Sequence, residues 1–264
     1  MNRITSKIQQ VNRRGEGAFI PYLMAGDPTP ERSMDYIRAL ADGGADIIEL
    51  GVPFSDPVAD GPTIQAAGVR AMSSTRGPAD ALDLVRKVGE EVEIPLILMS
   101  YYNPILQFGE PEFLIESKKA GVDGLILPDL PVEEGQPFLE SARDFSVQTP
   151  LLATPETGKK RLSKIEERAT GFLYLVARPG TTGMKDELEE TTTRAIKFVK
   201  SQVSNKLPVC VGFGLSTPDQ IAEVIRSGAD GAIVGSAIVK KIGNGYEPEE
   251  IRKFVAELNE GTKE

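Results

Sequence analysis

Short apolar runs alternate with longer amphipathic segments along the whole chain. The runs at 18–24, 46–50, 94–100, 124–127, 150–153, 172–176, 208–212 and 232–235 predict eight strands. Between them, 30–42, 79–92, 111–120, 132–145, 159–168, 185–204 and 218–227 read as helices. Residues 1–15 also read as helical, ahead of the first strand. Strands that alternate with helices imply βα units and a parallel sheet. Eight such units predict an α/β fold: a (β/α)8 TIM barrel over 1–264, a single catalytic domain with an extra N-terminal helix.

An internal echo supports the repeat. Gly44-Ala45-Asp46, Gly121-Val122-Asp123 and Gly228-Ala229-Asp230 each precede a strand. The Gly suits a helix C-terminus, where a left-handed residue costs least. The three Asp fall at the N-terminal face of the sheet, so they read as turn and capping residues rather than catalysts. The loops 50–62 and 176–185 are long for βα connections, and long ordered loops on a compact fold are often functional.

Composition narrows the chemistry. With 30 basic against 39 acidic residues, the chain carries a formal charge of −9. That argues against nucleic acid, whose phosphates need clustered Lys and Arg. The lone cysteine, Cys210, excludes a disulfide within the chain and reads as a small buried hydrophobe. There is no histidine, so acid–base work falls to carboxylates, tyrosines or lysines, and no His metal ligand exists. No apolar stretch approaches the roughly 20 residues of a membrane span, and the N-terminal residues lack a secretory pattern. A cytoplasmic protein is expected.

The run Glu49-Leu50-Gly51-Val52-Pro53-Phe54-Ser55-Asp56-Pro57-Val58-Ala59-Asp60-Gly61-Pro62 follows the second strand. Barrel enzymes keep their chemistry at such strand ends and βα loops. Glu49 would either enter the barrel interior or pair with a Lys or Arg of the helix layer. In an apolar mouth its pKa would rise, as suits a general acid–base. Asp60 would accept a ligand N–H, or else serve as an Asx-turn or helix N-cap, since Gly61-Pro62 looks like a helix start. Asp56 reads as a turn residue.

Three glycine loops follow strands six to eight: Gly180-Thr181-Thr182-Gly183, Gly212-Phe213-Gly214 and Gly235-Ser236-Ala237. Glycines let backbone N–H groups approach an anion, and barrel phosphate sites use the loops after strands seven and eight. A phosphorylated substrate is expected. Tyr22, Tyr101, Tyr174 and Phe213 lie at strand C-terminal ends, where they would line an aromatic slot or pack in the core.

Taken together, these segments resemble one family over nearly the whole chain. They include Gly17-Ala18-Phe19-Ile20-Pro21-Tyr22 with Gly26-Asp27-Pro28, the run 49–65, Tyr101-Tyr102-Asn103-Pro104, Pro128-Asp129-Leu130-Pro131-Val132-Glu133-Glu134, Gly212-Phe213-Gly214 and Gly235-Ser236-Ala237-Ile238-Val239. The sequence is similar to the tryptophan synthase α subunit family. The resemblance implies retro-aldol cleavage of indole-3-glycerol phosphate to indole and glyceraldehyde 3-phosphate. It implies Glu49 as general acid–base, Asp60 as acceptor of the indole N–H, and Tyr174 assisting beside Glu49. Gly183, Gly212, Gly214, Gly235 and Ser236 would hold the phosphate. Tyr22, Met99, Tyr101, Leu127 and Phe213 would border the indole, and Thr182 would sit on a mobile closing loop. Asp56 and Pro131 would face a pyridoxal-phosphate β subunit in an α2β2-type heterotetramer. This chain would need no metal or cofactor of its own. A sugar-phosphate isomerase of the same barrel type would share the glycines without requiring the Glu49/Asp60 pair. A non-catalytic phosphate-binding subunit would have no need of Glu49, Asp60 and Tyr174, and a stand-alone indole-releasing lyase would use the same residues.

Overall fold

The computed structural model describes residues 2–176, 185–204, 206–212 and 214–263, with the backbone alone for 185–191. Eight parallel strands run β1 (Ala18–Met24), β2 (Ile48–Gly51), β3 (Leu96–Met99), β4 (Gly124–Ile126), β5 (Leu151–Ala153), β6 (Leu173–Val176), β7 (Val209–Gly212) and β8 (Gly231–Val234). They pair in the order β4-β3-β2-β1-β8-β7-β6-β5. The remaining seam, between β4 and β5, is closed by a parallel bridge from Gly124 to Gln148. Two backbone bonds hold it: Leu125 N–H to Gln148 C=O at 2.7 Å, and Gln148 N–H to Asp123 C=O at 2.9 Å. The result is a nearly closed barrel.

Strand parity divides the barrel into two cores. Ala18, Ile20, Ile47, Ile97, Ile126, Phe172, Cys210 and Ile233 fill the lumen, with Met99, Leu152 and Tyr174 above them. The opposite phase, including Phe19, Leu23, Ile48, Leu50, Leu98, Leu125 and Val211, packs under the helices in a larger cluster. Cys210 is fully buried in the lumen, as a small hydrophobe should be.

The N-terminal helix α1 (Arg3–Asn12) plugs the floor of the lumen with Ile4 and Ile8. Its Asn2 cap reaches Gln148 at the seam, and the Thr5 hydroxyl donates to the Gly171 carbonyl at 2.7 Å. The expected helix 30–42 is α2 (Pro30–Asp42), capped by the Thr29 hydroxyl on the Arg32 N–H. The loop helix α3 (Pro62–Ala71) follows, then α4 (Pro78–Val88), α5 (Tyr102–Phe108), α6 (Glu110–Ala120), α7 (Gln136–Asp144), α8 (Lys159–Arg168), α9 (Lys185–Gln202), α10 (Pro218–Arg226), α11 (Ser236–Gly243) and α12 (Pro248–Glu260).

Most boundaries shift by a residue or more from the sequence reading, and three of the shifts are informative. The strand expected at 46–50 is Ile48–Gly51, so Glu49 is an interior strand residue rather than its penultimate one. The strand expected at 94–100 begins only after Pro95, which has no N–H to give the ladder. The helix expected at 132–145 starts at Gln136, because 131–135 form a turn closed by Gly135 N–H on the Pro131 carbonyl.

The echoed Gly-x-Asp segments act as predicted, with an added role. Gly44, Gly121 and Gly228 take φ of +96°, +86° and +104°, values that L residues rarely adopt. Each following Asp then clamps the neighbouring strand. Asp46 accepts the Phe19 N–H at 3.0 Å, Asp123 the Leu96 N–H at 3.1 Å, and Asp230 the Val209 N–H at 2.7 Å. Burial pushes the Asp46 and Asp123 carboxyls up, against these hydrogen bonds. Asp123→Ala leaves the Leu96 N–H without this acceptor and is expected to destabilise the fold by ~1–3 kcal/mol. Denaturant unfolding checks this, as a lowered midpoint at unchanged slope.

Candidate active site

The C-terminal ends of the strands form a mouth built on lumen-phase residues. Tyr22 and Met24 of β1, Met99 of β3, Ile64, Ala67 and Ala71 of α3 and Val239 of α11 make a small apolar cluster there. Glu49 rises into this mouth from β2 and is 1% exposed. Its Oε2 has no hydrogen-bond partner among the described residues. Such a carboxyl is far cheaper to bury as the neutral acid. Burial first, then the negative charge of Asp60, push Glu49 up to about 8.

Asp60 closes the loop that leaves β2. The loop entry is pinned on both sides, by Ala25 N–H on the Gly51 carbonyl and Val52 N–H on the Met99 carbonyl, both at 2.8 Å. Asp60 is half-buried, and the N-cap of α3 is Gly61, with no side-chain cap. Asp60 is therefore not the helix cap that its position allowed. Burial pushes its carboxyl up to about 6, against a hydrogen bond from Tyr101. Near neutral pH the pair divides, with Glu49 protonated and Asp60 ionised.

Tyrosines surround the pair. Tyr22 and Tyr174 are both raised well above the usual tyrosine value by burial, with smaller contributions from Glu49 and Asp60. They remain neutral donors. Both rings lie over glycines. A Cβ on Gly51 would sit 2.0 Å from the Tyr22 hydroxyl, and one on Gly212 would sit 2.5 Å from the Tyr174 hydroxyl. A Cβ on Gly235 would stand 3.3 Å from the Tyr22 Cβ. Gly51, two residues after Glu49 in the same strand phase, escaped the sequence reading as a site residue. Gly212, expected to open backbone to an anion, also makes room for the Tyr174 ring.

The other expected residues separate. Met99 is half-buried where lumen and mouth meet, and Tyr101 is buried at the end of β3. Leu127 falls in the outward phase of β4 and packs in the strand–helix layer, away from the cluster that holds Tyr22 and Met99. It instead borders a shallow cavity shared with Pro131, Leu152 and Arg161. Gly214 takes φ +72°, and Gly235 forms the N-cap of α11, with Ser236 its first residue. The first N–H groups of a helix have no intrahelical acceptor, so this end offers donors to an anion. Asp56 and Pro131 are exposed on the same face of the barrel. Phe213, Gly183 and Thr182, with the rest of the Gly180–Gly183 loop, lie outside the described residues.

One buried ion pair braces the mouth from the side. Arg70 of α3 meets Asp27 in bidentate fashion, at 2.8 and 2.7 Å, and Asp27 is 1% exposed. The pair ties the turn after β1 to the helix that follows the Asp60 loop. Among the described residues, no cluster of three or more His, Cys, Asp or Glu has metal-binding geometry. No helix among them is long and apolar enough to cross a membrane.

A parallel (β/α)8 barrel with a buried acid facing a carboxylate across an aromatic mouth belongs to the barrel enzymes that move protons on small substrates. Comparison with known proteins sharpens this. Residues 8–264 match the family model described as tryptophan synthase alpha chain. The chain belongs to that family, lyases that cleave indole-3-glycerol phosphate to indole and glyceraldehyde 3-phosphate. It is 48% identical to a tryptophan synthase alpha chain of Carboxydothermus hydrogenoformans, over 92% of this chain and 90% of the relative. It is 45% identical to that of Methanosarcina acetivorans, over 98% and 93%. Among solved structures, the α subunit from Legionella pneumophila aligns with a TM-score of 0.90 at 34% identity, covering 99% of this chain and 98% of that one. A tryptophan synthase complex from Pyrococcus furiosus aligns at 0.84 and 39% identity, covering 92% of this chain and 98% of that one.

The raised Glu49 has a consequence for stability. Below about pH 4.5 the folded and unfolded chains both hold its proton, and folding pays nothing for it. Between about 4.5 and 8 the unfolded chain releases the proton while the folded chain keeps it, so stability falls as pH rises. Glu49→Gln lacks this loss. The variant is expected to match the parent near pH 4 and to exceed it by ~3–5 kcal/mol at pH 9. Thermal unfolding across that range checks the divergence.

Proposed function

We propose that this lyase carries out its half-reaction with Glu49, Asp60 and Tyr174, the whole chain acting as one catalytic unit. The observation that carries the reading is the buried Glu49, with one oxygen unpartnered, set against Asp60 in the mouth. Glu49 enters the reaction as an acid and gives its proton to indole C3. Positive charge then develops on the ring nitrogen, and ionised Asp60 accepts the N–H and stabilises it. Glu49, now a carboxylate, takes the proton of the glycerol hydroxyl as the C–C bond breaks. Its proton is thereby restored, and no net proton is gained or lost. Tyr174 supports Glu49 as a neutral hydroxyl.

Gly212, Gly214, Gly235 and Ser236 hold the phosphate, with the start of α11 supplying free N–H groups. Gly183 completes that set, and Thr182 rides on the closing loop. Tyr22, Met99 and Tyr101 border the indole, joined by Phe213. The reading calls for no cofactor in this chain and is suited to the cytoplasm. The partner is a β subunit carrying pyridoxal phosphate, docked on the face where Asp56 and Pro131 are exposed. The solved tryptophan synthase complex of a relative from Pyrococcus furiosus supports this partnership.

Glu49→Gln is expected to lower indole release from indole-3-glycerol phosphate at least ~100-fold, the lower end for a general acid–base. The parent should give a bell-shaped kcat/KM, rising as Asp60 ionises at about 6 and falling as Glu49 deprotonates at about 8. Near-normal release by the variant would overturn the assignment. Titrating a β subunit at fixed substrate should raise indole release and yield a stable complex by light scattering. Full activity of the lone chain with no complex at micromolar concentration would favour a stand-alone lyase.

A further inference from the structure

Asp60 has only one side-chain hydrogen bond among the interactions that set its charge, and it comes from Tyr101. Tyr101 is 4% exposed and stands at the N-cap of α5, one residue before that helix begins. The helix start is itself fixed, because Asp129 accepts the Tyr102 N–H at 2.9 and 3.1 Å. The Tyr101 ring packs against Phe54 of the loop, with centroids 5.4 Å apart. Its hydroxyl oxygen accepts the Ala59 N–H at 2.9 Å. A phenol has one proton, and with its oxygen accepting from Ala59 that proton is free for the adjacent Asp60 carboxylate. One hydroxyl therefore grips both the backbone and the side chain of consecutive loop residues.

We propose that Tyr101 is the positioning residue of the reaction, holding the Asp60 carboxylate in place and ionised by clamping the Ala59–Asp60 segment to the end of β3. This role goes beyond bordering the indole, and it rests on the reading of Asp60 as the acceptor of the indole N–H. Among the described residues, the groups that face Asp60 are Glu49 from β2, Tyr22 from β1, Tyr174 from β6 and Tyr101 after β3, with Asp129 behind Tyr101. None of these is a cation. Tyr101 is thus the donor that opposes the burial of Asp60. The phenol is held well above its usual value by burial and by Asp60, so it keeps its proton across the working range.

Tyr101→Phe tests the role, since it retains the ring against Phe54 and removes only the hydroxyl. The expected result is an acid limb of kcat/KM displaced upward by about one pH unit, with activity falling ~5-fold at pH 6 and far less at pH 8. Carbon-13 NMR titration of the Asp60 carboxyl in the substrate-free protein should show the same upward displacement, whatever the turnover. A uniform loss at every pH, with Asp60 titrating as in the parent, would reduce Tyr101 to packing and overturn the proposal. Asp60→Asn separates the two readings. If it retains near-normal indole release, the role of Asp60 itself fails. If it loses activity while Tyr101→Phe keeps the parent's acid limb, only the clamp fails.

Discussion

Glu49 sits at the top of a lumen that is otherwise aliphatic and aromatic, with one oxygen bonded to nothing. A carboxylate in that position would require a cation, and among the described residues none faces it. The site instead keeps the group as a neutral acid, and much of the mouth follows from that choice. The tyrosines that surround Glu49 are donors that stay neutral beside it. Small residues leave room for their rings, with Gly51 beneath Tyr22 and Gly212 beneath Tyr174. Asp60 lies far enough out to keep its charge while still disfavouring ionisation of Glu49. Two carboxyl groups thus take opposite protonation states at one pH by differing in burial and in one hydrogen bond.

The barrel was legible because its signal is repetitive. Eight apolar runs and three Gly-x-Asp echoes are periodic features, and periodicity survives the loss of three-dimensional context. Elements without a period were harder to see. Helix α5 is seven residues long and contains Pro104, so its pattern is too short to register. Helix α12 starts from a Glu247–Glu250 capping box rather than a Ser or Thr cap. Edges moved by two residues at Pro95 and by four at the turn over 131–135, where each interrupted a run.

The site was legible to a different depth. Glu49 and Asp60 stand out in a chain without histidine, and the glycine loops mark strand ends. What a glycine is for depends on which ring crosses it, and that is set by partners far away in sequence. Gly212 reads as an anion contact from its neighbours, and it also makes room for Tyr174 from the adjacent strand. Leu127 illustrates the parity problem. One residue separates the phase of Ile126, which faces the lumen, from that of Leu127, which faces the helices. The clamp of Tyr101 on Ala59 spans 42 positions and leaves no trace in either local sequence.

The three aspartate clamps carry information about how the ring is put together. Each joins a strand to the one before it, across 27, 27 and 21 positions. The pairing of β1 with β8 matches Ala18 to Gly231, nearly the full length of the chain. Closing a loop costs entropy that grows with its length. Alignment is therefore encoded within single β/α/β units, where it is cheap, and the long-range joint inherits it. The chain behaves as a set of pre-aligned staves: each β/α/β module knows its own offset, and the circle needs only to be completed.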